Sequence, residues 1–101
     1  MRIAIAWMLL LAAQAQAAKI TAYCDNSQPM ASGKMPYIGA CAGPQWVRLG
    51  TRVYIAGLGS YTVEDRTHKR FNGRYDVWMP SRKACIQFGI RERKVTLETR
   101  K

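Results

Sequence analysis

Acidic side chains are scarce in this chain of 101 residues: 6 Asp and Glu stand against 16 Lys and Arg, and the formal net charge is +10 at pH 7. A domain this basic is suited to meeting a polyanion, whether a cell wall with its peptide carboxylates and acidic polymers, an anionic lipid surface or a nucleic acid. The alternative is that the charge only keeps a small domain soluble. Histidine occurs once, as His68. Any serine or cysteine nucleophile therefore has a single imidazole to draw on, in a basic loop where a solvated role is the simpler one. Cysteine occurs three times without a CxxC or a Cys/His spacing, which argues against a structural zinc site. The glycines fall at turns, and neither a phosphate-loop nor a dinucleotide fingerprint is present. The longest apolar run, residues 3–13, falls well short of the roughly 20 residues that span a bilayer.

What that run does fit is a secretory leader. Met1-Arg2 supplies the charged start, residues 3–13 the apolar core, and QAQAA the small-residue cleavage region. Cleavage is expected after Ala17, so that residues 1–17 are the leader and residues 18–101 one exported domain in the periplasm or cell envelope. Membrane contact then runs only through an uncleaved leader. In an oxidising compartment disulfides are favoured, and three cysteines allow one bridge within the chain. Spacing does not select the pair. Cys41 with Cys85 is preferred because both fall in segments expected to be buried, with Cys24 as the alternative partner.

Six short strands are expected, at residues 20–24, 37–42, 52–56, 61–65, 74–78 and 93–98. GLGS turns the third into the fourth as a hairpin. Ser81 is a candidate N-cap for one short helix over residues 81–88, which Gly89 ends. So many short strands in so small a chain suggest a closed barrel, which leaves no sheet edge exposed, or a small sandwich.

Two of the few acids, Asp65 and Asp76, lie in two of these apolar-rich strands, the first at a strand end and the second mid-strand. Alternation places Tyr61, Val63 and Asp65 on one face of their strand, and Arg74, Asp76 and Trp78 on one face of the other. If the strands are close, both carboxyls share a groove with Trp78 beside them. Burial and a second carboxylate both raise a carboxyl pKa, which suits a general acid. Pairing of Asp76 with Arg66 or Arg74 works in the opposite direction. Asp65 serves equally well as a turn cap, whereas Asp is disfavoured mid-strand and Asp76 is the better functional candidate. Glu64, on the opposite parity from Asp65, reads as a surface charge.

Taken in order, ITAYC, ASG (residues 31–33), PYIG (36–39), LGTRVYIAGLGSY (49–61), VEDR (63–66) and NGRYDVWM (72–79), followed by a short helix ending in FG, resemble the 3D domain of bacterial cell-wall proteins, a family named for three aspartates. The resemblance spans residues 20–97 and implies a six-stranded double-psi β-barrel. It also implies an activity, that of the MltA-type lytic transglycosylases and small stationary-phase muralytic proteins. The second family aspartate falls on Asp65 and the third on Asp76, which the resemblance makes the catalytic acid/base. Gly43 stands where the first would be, and Thr67 and His68 replace the glycines that usually follow the second, an exchange expected to make the groove rim bulkier and more basic. Tyr23, Trp78 and Tyr75 are candidates for sugar stacking, with core packing as the alternative for each, and Arg74 for substrate contact.

The function expected on these grounds is cleavage of peptidoglycan glycan strands by proton transfer through one carboxyl, which requires no cofactor and no metal. The alternative is a catalytically silent barrel that binds the wall or a partner, for which the loss of the acid at Gly43 speaks. A wall-spanning or lysis apparatus is a further partner class, and export disfavours nucleic acid.

Overall fold

The computed structural model describes residues 15–98. The strands are β1 (Gln16–Tyr23), β2 (Ala40–Gly43), β3 (Arg52–Ile55), β4 (Gly59–Arg66), β5 (Tyr75–Trp78) and β6 (Arg91–Leu97), with a 3-10 turn at Lys69–Phe71 and, among the described residues, one α-helix, α1 (Arg82–Phe88). They close into a barrel in the order β1-β5-β2-β4-β3-β6. The mainly β, six-stranded barrel expected from the sequence is therefore the architecture observed, and the sandwich is excluded. Two of its pairings, β1 with β5 and β2 with β4, are parallel, and the rest are antiparallel. The leader expected at residues 1–17 lies largely outside the described residues, but β1 begins at Gln16 and pairs Gln16 with Val95 and Ala17 with Lys94.

Alternation along each strand sends one set of side chains inward. Ile20, Cys41, Val53, Ile55, Val63, Tyr75, Val77 and Val95 fill the barrel, joined by Val47 from the β2–β3 connection and by Phe88 from α1. Each aliphatic side chain so enclosed contributes about 1.5–3 kcal/mol relative to exposure. The hairpin β3–β4 pairs Ile55 with Gly59 across a turn at Gly57, whose φ of 80° favours a residue without a Cβ. At α1, the Ser81 hydroxyl accepts the Ala84 N–H at 3.1 Å, as its N-cap position predicts, and the helix stops at Gly89 with φ 66°.

Strand β4 departs from simple alternation. Cys41 pairs with Val63, but the next residue of β2, Ala42, pairs with Asp65, so Glu64 is the extra residue of a β-bulge. Asp65 is thereby removed from the face that Val63 occupies, which corrects the expectation that Tyr61, Val63 and Asp65 face one way. The bulge also changes the reading of Glu64, which is not a surface charge but only 3% exposed. Its carboxylate accepts from the Tyr37 hydroxyl and meets the Lys34 ammonium at 3.6 Å.

Burial pushes the Glu64 carboxyl up, but hydrogen bonds from Tyr37 and Ser32 and the charge of Lys34 outweigh it and hold the group below its ordinary value. A depressed carboxyl adds stability that is present above the unfolded value of 4.5 and is lost as pH falls through the folded one. Glu64→Gln is expected to flatten the acid limb of the stability curve, and Glu64→Ala to cost about 2 kcal/mol at pH 7 by leaving Tyr37 and the bulge unsupported. Urea titrations at pH 7 and pH 3.5 measure both.

Candidate functional site

The register of four neighbouring strands places the site. Thr21 of β1 pairs with Asp76 of β5, Asp76 with Ala42 of β2, and Ala42 with Asp65 of β4. Since paired residues on adjacent strands stand side by side, Thr21, Asp76, Ala42 and Asp65 form one row across the outside of the barrel. Ile20, Tyr75, Val77, Cys41 and Val63, their neighbours in parity or pairing, point to the core. The small side chain of Ala42 leaves the space between the two acids open.

The connection from β1 to β2 folds over this row and converts it into a cleft of about 240 Å³, lined among others by Tyr23, Gln28, Met30, Asp65, Arg66 and Asp76. Asp65 is fixed by three donors. Its Oδ1 accepts from the Ala31 N–H at 3.0 Å and the Arg66 N–H at 2.9 Å, and its Oδ2 accepts from the Tyr23 hydroxyl at 3.5 Å. Among the described residues Asp76 has one donor, the Thr21 hydroxyl, at 2.9 Å from Oδ1. Burial raises the Asp76 carboxyl above its usual range. The Thr21 hydrogen bond and the Arg74 charge oppose this, and the charge of Asp65 adds to it.

Neither arginine forms an ion pair with Asp76 among the described residues. The Arg66 guanidinium donates to the Pro44 carbonyl at 3.0 Å and to that of Val47, bracing the chain after β2. Arg74 lies over the Phe71 ring at 4.4 Å, in a shallow basic depression lined also by Lys19, Arg70 and Glu92 rather than in the cleft. Arg74 therefore acts on Asp76 through its charge and does not share its cleft.

Of the three aromatic candidates, only Tyr23 lines the cleft. Trp78 is 9% exposed and donates its indole N–H to the Asp25 carbonyl at 3.0 Å, and Tyr75 is 2% exposed in the core. Cys41 is buried in the core, where burial pushes its thiol up to about 12. All three cysteines are free, so the expected pairing of Cys41 with Cys85 is not formed; Cys85 is a close neighbour of Cys24. His68 caps the 3-10 turn by accepting the Arg70 N–H at 3.2 Å, a local role. Thr67 is no part of a bulky rim: it is buried, and its N–H donates to the Gly43 carbonyl at 3.0 Å.

Thr21 and the Ala31 N–H are the site groups that sequence reading missed. Thr21 shares Tyr23's face by the two-residue repeat of β1, which could have marked it, but its meeting with Asp76 depends on a parallel pairing that spacing does not reveal. Ala31 acts through its backbone, and the ASG segment carries no side-chain signal of that.

Comparison with known proteins brings no family model and no curated protein that matches this sequence.

Gly43 itself lies on the opposite face of β2 from Ala42. A Cβ there would meet Val63 at 3.1 Å and Tyr75 at 3.4 Å, both core side chains. An aspartate at this position of the present barrel would drive a carboxylate into apolar packing and not into the cleft. Gly43→Asp is therefore expected to lower stability by about 2 kcal/mol or more. An equilibrium urea titration measures this, and a variant as stable as the parent would show that the strand can re-aim residue 43.

Proposed function

We propose that the protein is an exported lytic transglycosylase of peptidoglycan, with Asp76 as its acid/base. The observation that carries the reading is one partly buried carboxyl, raised in pKa, standing in an open cleft beside a second carboxyl that is tied down by three donors. The resemblance to the 3D domain, with Asp65 and Asp76 at its second and third aspartates, supports the same assignment. In this mechanism the Asp76 carboxyl gives its proton to the glycosidic oxygen between N-acetylmuramic acid and N-acetylglucosamine as the bond to the anomeric carbon breaks. The carboxylate then takes the proton of the muramic sugar's own 6-hydroxyl, whose oxygen closes on the anomeric carbon to form the 1,6-anhydro product. No water enters, and one group suffices, in contrast to hydrolases that divide the work between two carboxyls. Thr21 orients Asp76, and Asp65 faces the positive charge that develops on the sugar ring.

A second reading, a silent wall-binding module, draws on the basic depression around Phe71, where Lys19, Arg70 and Arg74 gather outside the cleft. The cleft's 240 Å³ is below the roughly 300 Å³ at which pockets begin to enclose a drug-sized ligand. On either reading most of a glycan strand lies on the surface.

Export itself bears on β1. Cleavage after Ala17 removes Gln16 and Ala17 from their pairing with β6, whereas a cut after Ala15, where Ala13 and Ala15 provide the same small-residue spacing, keeps the strand whole. We place the cut after Ala15, and the intact mass of the exported protein decides between a first residue of Gln16 and one of Ala18.

Mass spectrometry of the products released from purified sacculi tests the catalytic reading. Anhydro-muropeptides are expected from the parent, and Asp76→Asn is expected to reduce their release by about 100-fold or more. Its stability should move the other way. Asp76 is raised above 3.8, so ionising it costs stability at neutral pH and nothing once pH falls below that unfolded value. Asp76→Asn should therefore be the more stable protein at pH 7 and lose that advantage toward pH 3. Sacculus binding without product, in parent and variant alike, would select the binding module.

A further inference from the structure

Strand β1 ends at Tyr23, whose carbonyl accepts the Met79 N–H at 2.8 Å just after β5. The chain then turns through Pro80 and the Ser81 cap into α1, which packs back on β1. This return brings Cys85, on the first turn and a half of α1, against Cys24, the first residue beyond β1. The two thiols are close neighbours, both are partly exposed, and the segments that carry them are fixed by backbone bonds: Met79 N–H to Tyr23, Cys85 N–H to Ser81 and Gly89 N–H to Cys85. Burial, and then the contact with Cys24, raise the pKa of Cys85. Cys41 is sealed in the core beneath Val63 and Val77 and can reach neither.

We propose that Cys24 and Cys85 are the disulfide of this protein, and that Cys41 is its permanent free thiol. The bond forms by exchange with an external disulfide, either that of a dithiol oxidase or of oxidised glutathione. The Cys24 and Cys85 thiols lose two electrons and two protons, their sulfurs join, and the external disulfide leaves as two thiols. The staple sits at the foot of the cleft. Cys24 lies between Tyr23, which reaches Asp65, and Asp25, whose carbonyl holds the Trp78 indole. Closing it ties the start of the cleft-covering connection to the helix, and with a long loop between the two cysteines it removes much freedom from the unfolded chain. The pairing is a property of the fold and does not depend on the chemistry of the cleft.

The test is thiol counting on the purified protein equilibrated in a glutathione buffer of the oxidising strength of a secretory compartment, quenched in acid, denatured and labelled with N-ethylmaleimide. One label is expected before reduction and three after, and a digest should join the peptides of Cys24 and Cys85. Reduction should lower the melting temperature by about 10 °C. Cys41→Ser should keep both the bridge and that shift. Cys24→Ser and Cys85→Ser should lose the shift alike, and if either fails to fold, the peptide map of the parent still decides. Three labels without reduction, or a bridge that includes Cys41, overturns the proposal.

Discussion

The bulge at Glu64 is the constraint on which the cleft depends. Without it the alternation of β4 would carry Asp65 inward with Val63, burying a carboxyl in the barrel and leaving Asp76 alone outside. One extra residue rotates the strand by half a period, so that Val63 fills the core while Asp65 joins Ala42 and Asp76 on the outer row. The bulge has its own support. Glu64, the residue displaced by it, is held by Tyr37 and Lys34, and its backbone carbonyl accepts the Ser32 N–H at 2.9 Å. The same β1–β2 connection supplies the Ala31 N–H to Asp65, so one segment fixes both the bulge and the carboxyl it exposes.

From this follows a division between the two acids. Asp65 spends its oxygens on two backbone N–H groups and a phenol, which leaves it oriented and immobile. Asp76 has a single hydroxyl partner among the described residues and a desolvated position, which raises its carboxyl above the usual range. The many basic side chains do not neutralise this arrangement. Arg66 is occupied by two carbonyls, and Arg74 by the Phe71 ring. A chain with a net charge of +10 can thus keep an acidic cleft while Arg66, which lines it, and Arg74, whose charge reaches it, are tied to other partners.

The barrel was legible because short apolar-alternating segments, turn glycines and a Ser81 cap are all local signals, and the strand ends lie within a few residues of where pattern alone puts them. The pair Asp65 and Asp76 was legible as well, being rare acids in a basic chain. What pattern could not give is register. The parallel meeting of Thr21 with Asp76, the bulge that corrects the face of Asp65, and the burial of Trp78 and Tyr75 all depend on which strand lies beside which. The cysteines show the same limit. Segment burial favoured Cys41, yet a disulfide partner needs an accessible neighbour across a specific contact, and the return of α1 onto β1 gives that to Cys24 instead.

Gly43 can be weighed on the same geometry. Its place in β2 is inward, packed by Val63 and Tyr75, so in this chain the residue contributes nothing to the row formed by Thr21, Asp76, Ala42 and Asp65. A mechanism that needed a third carboxyl in the cleft would be at odds with this barrel, whereas internal attack by a sugar hydroxyl needs one group that gives a proton and takes one back. Asp76 has the burial and the weak tethering that such a cycle requires, and the position of Ala42 keeps the space in front of it clear. Glycine in place of an aspartate at residue 43 therefore leaves the row of Thr21, Asp76, Ala42 and Asp65 as it is.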